Sequence, residues 1–136
     1  MKIDHVGWIT NDLKKFEGFW VKTLGFKKIW QSHLSSELTR TLFRLPGGAR
    51  CLRYQKGKVT IECHVFDRPV AKNKLPFNRF GLNHICLWVR NRQEFLKKHS
   101  FQTDIYHNPK GWDNIFIRDF EGNWIELKET FKKEKK

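Results

Sequence analysis

The chain has 136 residues and carries 27 Lys and Arg against 14 Asp and Glu, a formal charge of +13. With 39% hydrophobic and 15% aromatic residues it holds too much apolar surface for a disordered chain, and its length suits one domain with its own core. No apolar run approaches the roughly 20 residues of a membrane span. Met1-Lys2-Ile3-Asp4-His5 has no signal-peptide pattern, and Cys51, Cys63 and Cys86 form no CxxC spacing, so the expectation is a soluble, basic, cytoplasmic protein without a disulfide framework.

Ile3 to Thr10 reads as a short strand. Asn11-Asp12 offers N-capping oxygens, Leu13, Phe16, Trp20 and Leu24 recur at helical spacing, and Gly25 stands where a left-handed C-terminal cap is expected. Phe26 to Ser32, Leu38 to Leu45 and Ala49 to Tyr54 read as strand material, with turns at Pro46-Gly47-Gly48 and Gln55-Lys56-Gly57-Lys58. Val59 to Phe66 is a clear strand. Residues 67–81 hold Pro69, Pro76, Gly81 and several charges, the composition of a linker. Leu82 to Val89 then reads as a strand, and Asn91 with Glu94 three residues later forms a capping-box pattern for a short helix. Thr103 to His107 and Asn114 to Asp119 are strands, Asp119-Phe120-Glu121-Gly122-Asn123 a hairpin turn, and Trp124 to Lys128 the last strand. Residues 130–136 form a charged tail expected to fray.

The second half repeats the first. Ile3-Asp4-His5-Val6 lines up with Leu82-Asn83-His84-Ile85, and Thr60-Ile61-Glu62-Cys63 with Trp124-Ile125-Glu126-Leu127. Each half opens on a strand bearing a His and closes on a strand bearing a Glu. The prediction is an α+β fold of two tandem βαβββ modules, residues 1–66 and 82–129. Together they are expected to form one domain of curled mixed sheets.

Side chains on a strand alternate faces. His84, Cys86 and Trp88 therefore oppose Ile85, Leu87 and Val89. Thr60, Glu62, His64 and Phe66 oppose Ile61, Cys63 and Val65, while Trp124, Glu126 and Lys128 oppose Ile125 and Leu127. Each strand has one aliphatic face to pack under a helix and one face with an ionisable group beside an aromatic ring. His5, Glu62, His84 and Glu126 come from equivalent places in the repeat, and two imidazoles with two carboxylates suit one divalent ion: Ni²⁺, Zn²⁺, Co²⁺, Mn²⁺ or Fe²⁺. Four such groups without an ion would carry a heavy desolvation penalty.

The two βαβββ halves, the strand-borne His5 and His84, the stretch Phe16-Glu17-Gly18-Phe19-Trp20 to Leu24-Gly25-Phe26, and Asp119 to Leu127 resemble the vicinal-oxygen-chelate superfamily over residues 3–129. That superfamily includes glyoxalase I, the epimerases, the extradiol dioxygenases, and the fosfomycin- and bleomycin-resistance proteins. The His/Glu/His/Glu set is similar to that of glyoxalase I. The resemblance implies one divalent metal, Ni²⁺ or Zn²⁺ foremost, and a lyase or isomerase acting through a metal-stabilised enediolate. It also implies a carboxylate as the base, Glu126 before Glu62, and a homodimer. Where glyoxalase I carries an Arg and an Asn for glutathione, this chain has Ile9 and Phe66, so the expected substrate is a small anionic α-oxo or thioester compound. Two alternatives stand beside it. One is a fosfomycin-resistance-type transferase or extradiol dioxygenase needing only His5, His84 and Glu126; the other is a metal-free ligand-binding module like the bleomycin-resistance proteins.

Phe66, Trp88 and Trp124 share the ligand-bearing face and are candidate pocket walls, with His64 beside them as a substrate contact or a replacement ligand for Glu62. Trp8 has the opposite parity and is expected in the core. His33, His99 and His107 fall in loops or at element ends and are expected at the surface. Arg44, Arg50, Arg53, Lys56, Lys58, Arg68, Lys72, Lys74 and Arg79 make residues 44–79 strongly basic, which suits steering of an anionic substrate. No helix-turn-helix, zinc-finger or RNP pattern supports a nucleic-acid partner.

Overall fold

The computed structural model describes residues 3–71, 81–107, 109, 111 and 113–129. Most of the expected linker (72–80) and the charged tail (130–136) lie outside the described residues. The chain forms two compact units, Met1–Lys72 and Asn73–Lys136. Each builds an open four-stranded mixed sheet, so the α+β fold of tandem modules is as expected.

In the first unit the elements are β1 (Val6–Ile9), α1 (Leu13–Glu17), β2 (Lys27–Leu34), α2 (Ser36–Phe43), β3 (Ala49–Lys56) and β4 (Val59–Phe66). The sheet order is β1-β4-β3-β2; β1 runs parallel to β4 and the other pairs are antiparallel. Asp12 caps α1 by accepting from the Lys15 amide at 3.0 Å. The predicted helix continues past Glu17, but as a π-helical turn over Gly18–Thr23, with the Leu24 amide reaching back to the Phe19 carbonyl at 3.0 Å. The wider turn suits the spacing of four between Phe16, Trp20 and Leu24, and all three are buried. Gly25 has φ +77°, the left-handed conformation expected of it. Trp20 packs its ring 5.3 Å from both Trp8 and Phe26, and Phe16 packs 5.3 Å from Tyr54. With Leu52, Ile61 and Cys63 these residues make the core under α1. Trp8 joins it only half-buried.

One element differs from expectation. Leu38 to Leu45, read as a strand, lies largely in helix α2. Its Leu, Thr and Phe residues look strand-like, but β propensity is weak against context. The Ser35 hydroxyl accepts from the Leu38 amide at 3.2 Å to start a helix, and Arg44, with φ +59°, ends it. Helical spacing puts Thr39 and Phe43 on one side. Phe43 lies 4.9 Å from the His64 ring and 5.1 Å from Phe66. The ligand-bearing face of the first sheet, expected to line a pocket, is therefore partly roofed.

The second unit comprises β5 (His84–Val89), α3 (Arg92–Lys98), β6 (Thr103–His107), β7 (Asp113–Arg118) and β8 (Trp124–Glu129). Its order, β5-β8-β7-β6, repeats the first sheet, with β5 parallel to β8. Asn91 caps α3 through the Glu94 amide at 2.9 Å, as the capping pattern predicts. The turn before β8 is tied by the buried Asp119, whose Oδ1 accepts from the amides of Glu121 and Asn123, both at 2.9 Å. Ile115, Ile117, Ile125 and Leu127 form the buried aliphatic face. His33 and His107 are exposed as expected. His99 is half-buried instead, its ring 5.1 Å from Phe95 and 5.4 Å from Phe101 at the end of α3.

Candidate metal centre

In the first unit the parallel pairing of β1 with β4 sets Gly7 beside Glu62, and His5, two residues earlier, points to the same face. His5 Nε2 stands 3.6 Å from Glu62 Oε1. The other ring nitrogen, Nδ1, lies 2.9 Å from Asp4 Oδ2. The second unit repeats this arrangement. His84 Nε2 stands 3.5 Å from Glu126 Oε2, and His84 Nδ1 lies 2.8 Å from Asn83 Oδ1. An Nδ1–H donated to the preceding side-chain oxygen leaves the Nε2 lone pair facing the carboxylate, the tautomer a metal ligand needs. Two donors sharing an ion at about 2.0–2.2 Å sit roughly 3–3.6 Å apart. Both pairs are at the wide end of that spacing, so each fits half of the expected ligand set.

The two carboxylates have different surroundings. Arg53, opposite Glu62 across the β3–β4 ladder, donates Nε–H to Glu62 Oε2 at 2.6 Å, and its guanidinium lies 5.6 Å from the Trp30 ring. His64 Nε2 is 3.5 Å from Glu62 Oε1. Burial holds His64 below the ordinary imidazole range, with Glu62 opposing that shift and His5 adding to it, so a neutral ring is favoured. Cys51, directly opposite His64, is buried and bonds to Glu62; burial first, then the Glu62 charge, push its thiol up to about 11. At the repeat-related place in the second unit, Phe116 instead of an arginine stands opposite Glu126. Glu126 is buried, 3.4 Å from Asn114 Nδ2 and 3.9 Å from Lys128 Nζ. The Cys86 thiol pKa is raised by partial desolvation and by the Glu126 charge, although the residue as a whole is exposed.

Of the expected pocket residues, His64 and Phe66 are buried beneath Phe43 of α2. Trp124 is half-buried against Phe116 and Arg118, at 5.0 and 5.5 Å, while Trp88 is 60% exposed on its own sheet. Ile9 is 43% exposed. Sequence reasoning missed Cys51 as a neighbour of the acid and counted Arg53 only as surface charge. The signal was present: Gly57, at φ +57°, makes the β3–β4 connection a two-residue turn with Lys56 opposite Val59. Counting back from that pair puts Arg53 opposite Glu62 and Cys51 opposite His64.

The family model described as the glyoxalase/bleomycin resistance protein/dioxygenase superfamily matches residues 4–103. Among solved structures, a glyoxalase family protein from Enterococcus faecalis is similar with TM-score 0.71 and 22% identity, covering 93% of this chain and 95% of that one. The trypanothione-dependent glyoxalase I of Leishmania major is similar with TM-score 0.62 and 19% identity, over 95% and 86% of the two chains. A fosfomycin resistance protein from Mesorhizobium loti matches with TM-score 0.58 and 14% identity, over 96% and 92%. At these identities the likenesses show a common fold. No curated protein matches the sequence.

Proposed function

The chain belongs to the glyoxalase/bleomycin resistance protein/dioxygenase superfamily, and from that premise we propose that it is a metal-dependent lyase or isomerase of the glyoxalase type. Its substrate is a small anionic α-oxo or thioester compound. The observation that carries this reading is the twinned imidazole–carboxylate pair, 3.6 Å apart in one unit and 3.5 Å in the other, each imidazole engaged at Nδ1 by the residue before it. The proposed metal ligands are His5, Glu62, His84 and Glu126, suited to Ni²⁺ or Zn²⁺ foremost and to Co²⁺, Mn²⁺ or Fe²⁺ otherwise. When bound, the ion supplies a Lewis acid for vicinal substrate oxygens.

Glu126 is the general base that takes the proton from the carbon beside the carbonyl. Glu62 suits that role less, because Arg53 engages its Oε2 at 2.6 Å, whereas the Asn114 amide stands 3.4 Å from Glu126 Oε1. Arg44, Arg50, Lys56, Lys58 and Arg68 give the first unit a basic surface that draws an anion in. Apolar Ile9 and Phe66 favour a substrate without the glutathione moiety. The same reading carries a homodimer, checked by sedimentation, and a cytoplasmic location; no described helix is long and apolar enough to cross a membrane.

The test is exchange of substrate carbon-bound protons in heavy water, followed by NMR over a panel of hemithioacetals, α-oxo acids and thioesters. The metal-loaded protein should exchange at least one of them, with about one metal per chain, and Glu126→Gln should stop the exchange while keeping an oxygen ligand. A metal-loaded protein that exchanges none, or a Glu126→Gln variant that exchanges at the wild-type rate, overturns the proposal. The Arg53 bond favours one second reading, in which Glu62 is no ligand and His5, His84 and Glu126 serve a fosfomycin-type transferase or an extradiol dioxygenase. Glu62→Gln would spare that activity and cripple the lyase. Protein that takes up no metal would fit the binding module instead.

A further inference from the structure

The first unit holds a second set of donors that the internal repeat does not explain. Glu62 and His64 alternate onto one face of β4, and the hairpin register sets Cys51 of β3 beside His64. A sulfur, a carboxylate oxygen and an imidazole nitrogen from these three residues all lie within 4.8 Å of one another. Cys51 is 3% and His64 7% exposed, and Phe43 of α2 lies 4.9 Å above the imidazole. In the second unit the corresponding positions, two residues beyond Phe116 and Glu126 along the ladder, are Asn114 and Lys128, which offer neither thiol nor imidazole. Among the described residues, the second unit does not repeat the cluster at these positions. Arg53 occupies Glu62 Oε2, while Oε1 faces His64 Nε2 at 3.5 Å and His5 Nε2 at 3.6 Å.

We propose that Cys51, Glu62 and His64 form a three-donor site, wholly within the first unit, for one borderline-soft divalent cation such as Zn²⁺ or Co²⁺. A thiolate, an imidazole and a carboxylate select these ions over Mg²⁺ or Mn²⁺, and three protein donors leave a fourth tetrahedral position open. Arg53 acts from outside the donor set, fixing the orientation of the Glu62 carboxylate. Binding displaces the Cys51 proton, which is released to solvent as the cation takes its place. The site shares Glu62 with the function proposed above but depends on neither His84 nor Glu126, so the two proposals fail separately.

The full chain carrying His84→Ala and Glu126→Gln removes the second unit's pair and keeps the proposed site. Under reducing conditions, Co²⁺ titration of this variant should give one equivalent of binding, tetrahedral visible bands and a near-ultraviolet sulfur-to-cobalt charge-transfer band; Zn²⁺ should bleach all of these. Adding Cys51→Ser should abolish the charge-transfer band and adding His64→Ala should weaken binding, with circular dichroism confirming that each variant is folded. Adding Cys86→Ser should leave the band intact. A folded parent variant that binds no Co²⁺ overturns the proposal. So does a band that survives Cys51→Ser or disappears with Cys86→Ser.

Discussion

Replacing Arg53 with Met removes the guanidinium, with its contact to the Trp30 ring, and keeps an unbranched side chain. The Nε–Oε2 distance of 2.6 Å marks a short charge-assisted hydrogen bond with a strong gross attraction. Desolvation of the acid takes back much of this, because the Glu62 side chain is only 15% exposed, and the Arg53 side chain at 37% exposure is partly screened. The net coupling lies between that of an exposed pair and that of a buried one, and Arg53→Met should lower the urea midpoint by roughly 0.5–1 M. The measurement is a double-mutant cycle of wild type, Arg53→Met, Glu62→Gln and the double variant, by urea unfolding of the full chain. Much of the Arg53→Met loss should vanish on a Glu62→Gln background, where no charge is left unpaired. A coupling below about 0.5 kcal/mol would refute the reasoning, because the pair would then behave as a surface contact.

Three further outcomes follow from the geometry. Asn83→Ala removes the oxygen that engages His84 Nδ1 at 2.8 Å, and metal affinity should fall about 10- to 100-fold, read by competition with a chromophoric chelator. The lowered His64 pKa means that the unfolded chain binds the extra proton first; stability should therefore decline as pH falls below about 6.5, the ordinary imidazole value. In urea midpoints taken from neutral to mildly acid pH, His64→Gln should show a shallower decline, and an unchanged slope would count against a buried neutral ring. Ser35→Ala should cost about 1 kcal/mol by leaving the Leu38 amide uncapped, measured by thermal or urea unfolding.

The tandem architecture was legible because the repeat places a His near the start and a Glu near the end of each half, and strand alternation assigns both to one face. The Asn91 cap and the Gly25 turn were legible for a local reason: each depends on a side chain and a backbone group a few residues apart. Helix α2 was not, because Leu38, Thr41, Leu42 and Phe43 satisfy a strand pattern as well as a helical one. The choice there rests on the Ser35 cap and on Phe43 finding His64 and Phe66 far along the chain. The π-helical turn escaped because a spacing of four fits either helix type over two turns. Arg53 and Cys51 were hidden by treating β3 without its register, although Gly57 determines it.

The parallel alignment of β1 with β4, and of β5 with β8, has a consequence for how a cation and the chain assemble. Parallel neighbours cannot be joined by a tight turn, so in each module the histidine and its acid meet only after the intervening helix and hairpin have taken their places. A nascent or half-formed module has no mouth for the ion. Any ion that needs both members stabilises the finished module alone by mass action, and loading becomes a report on completed folding.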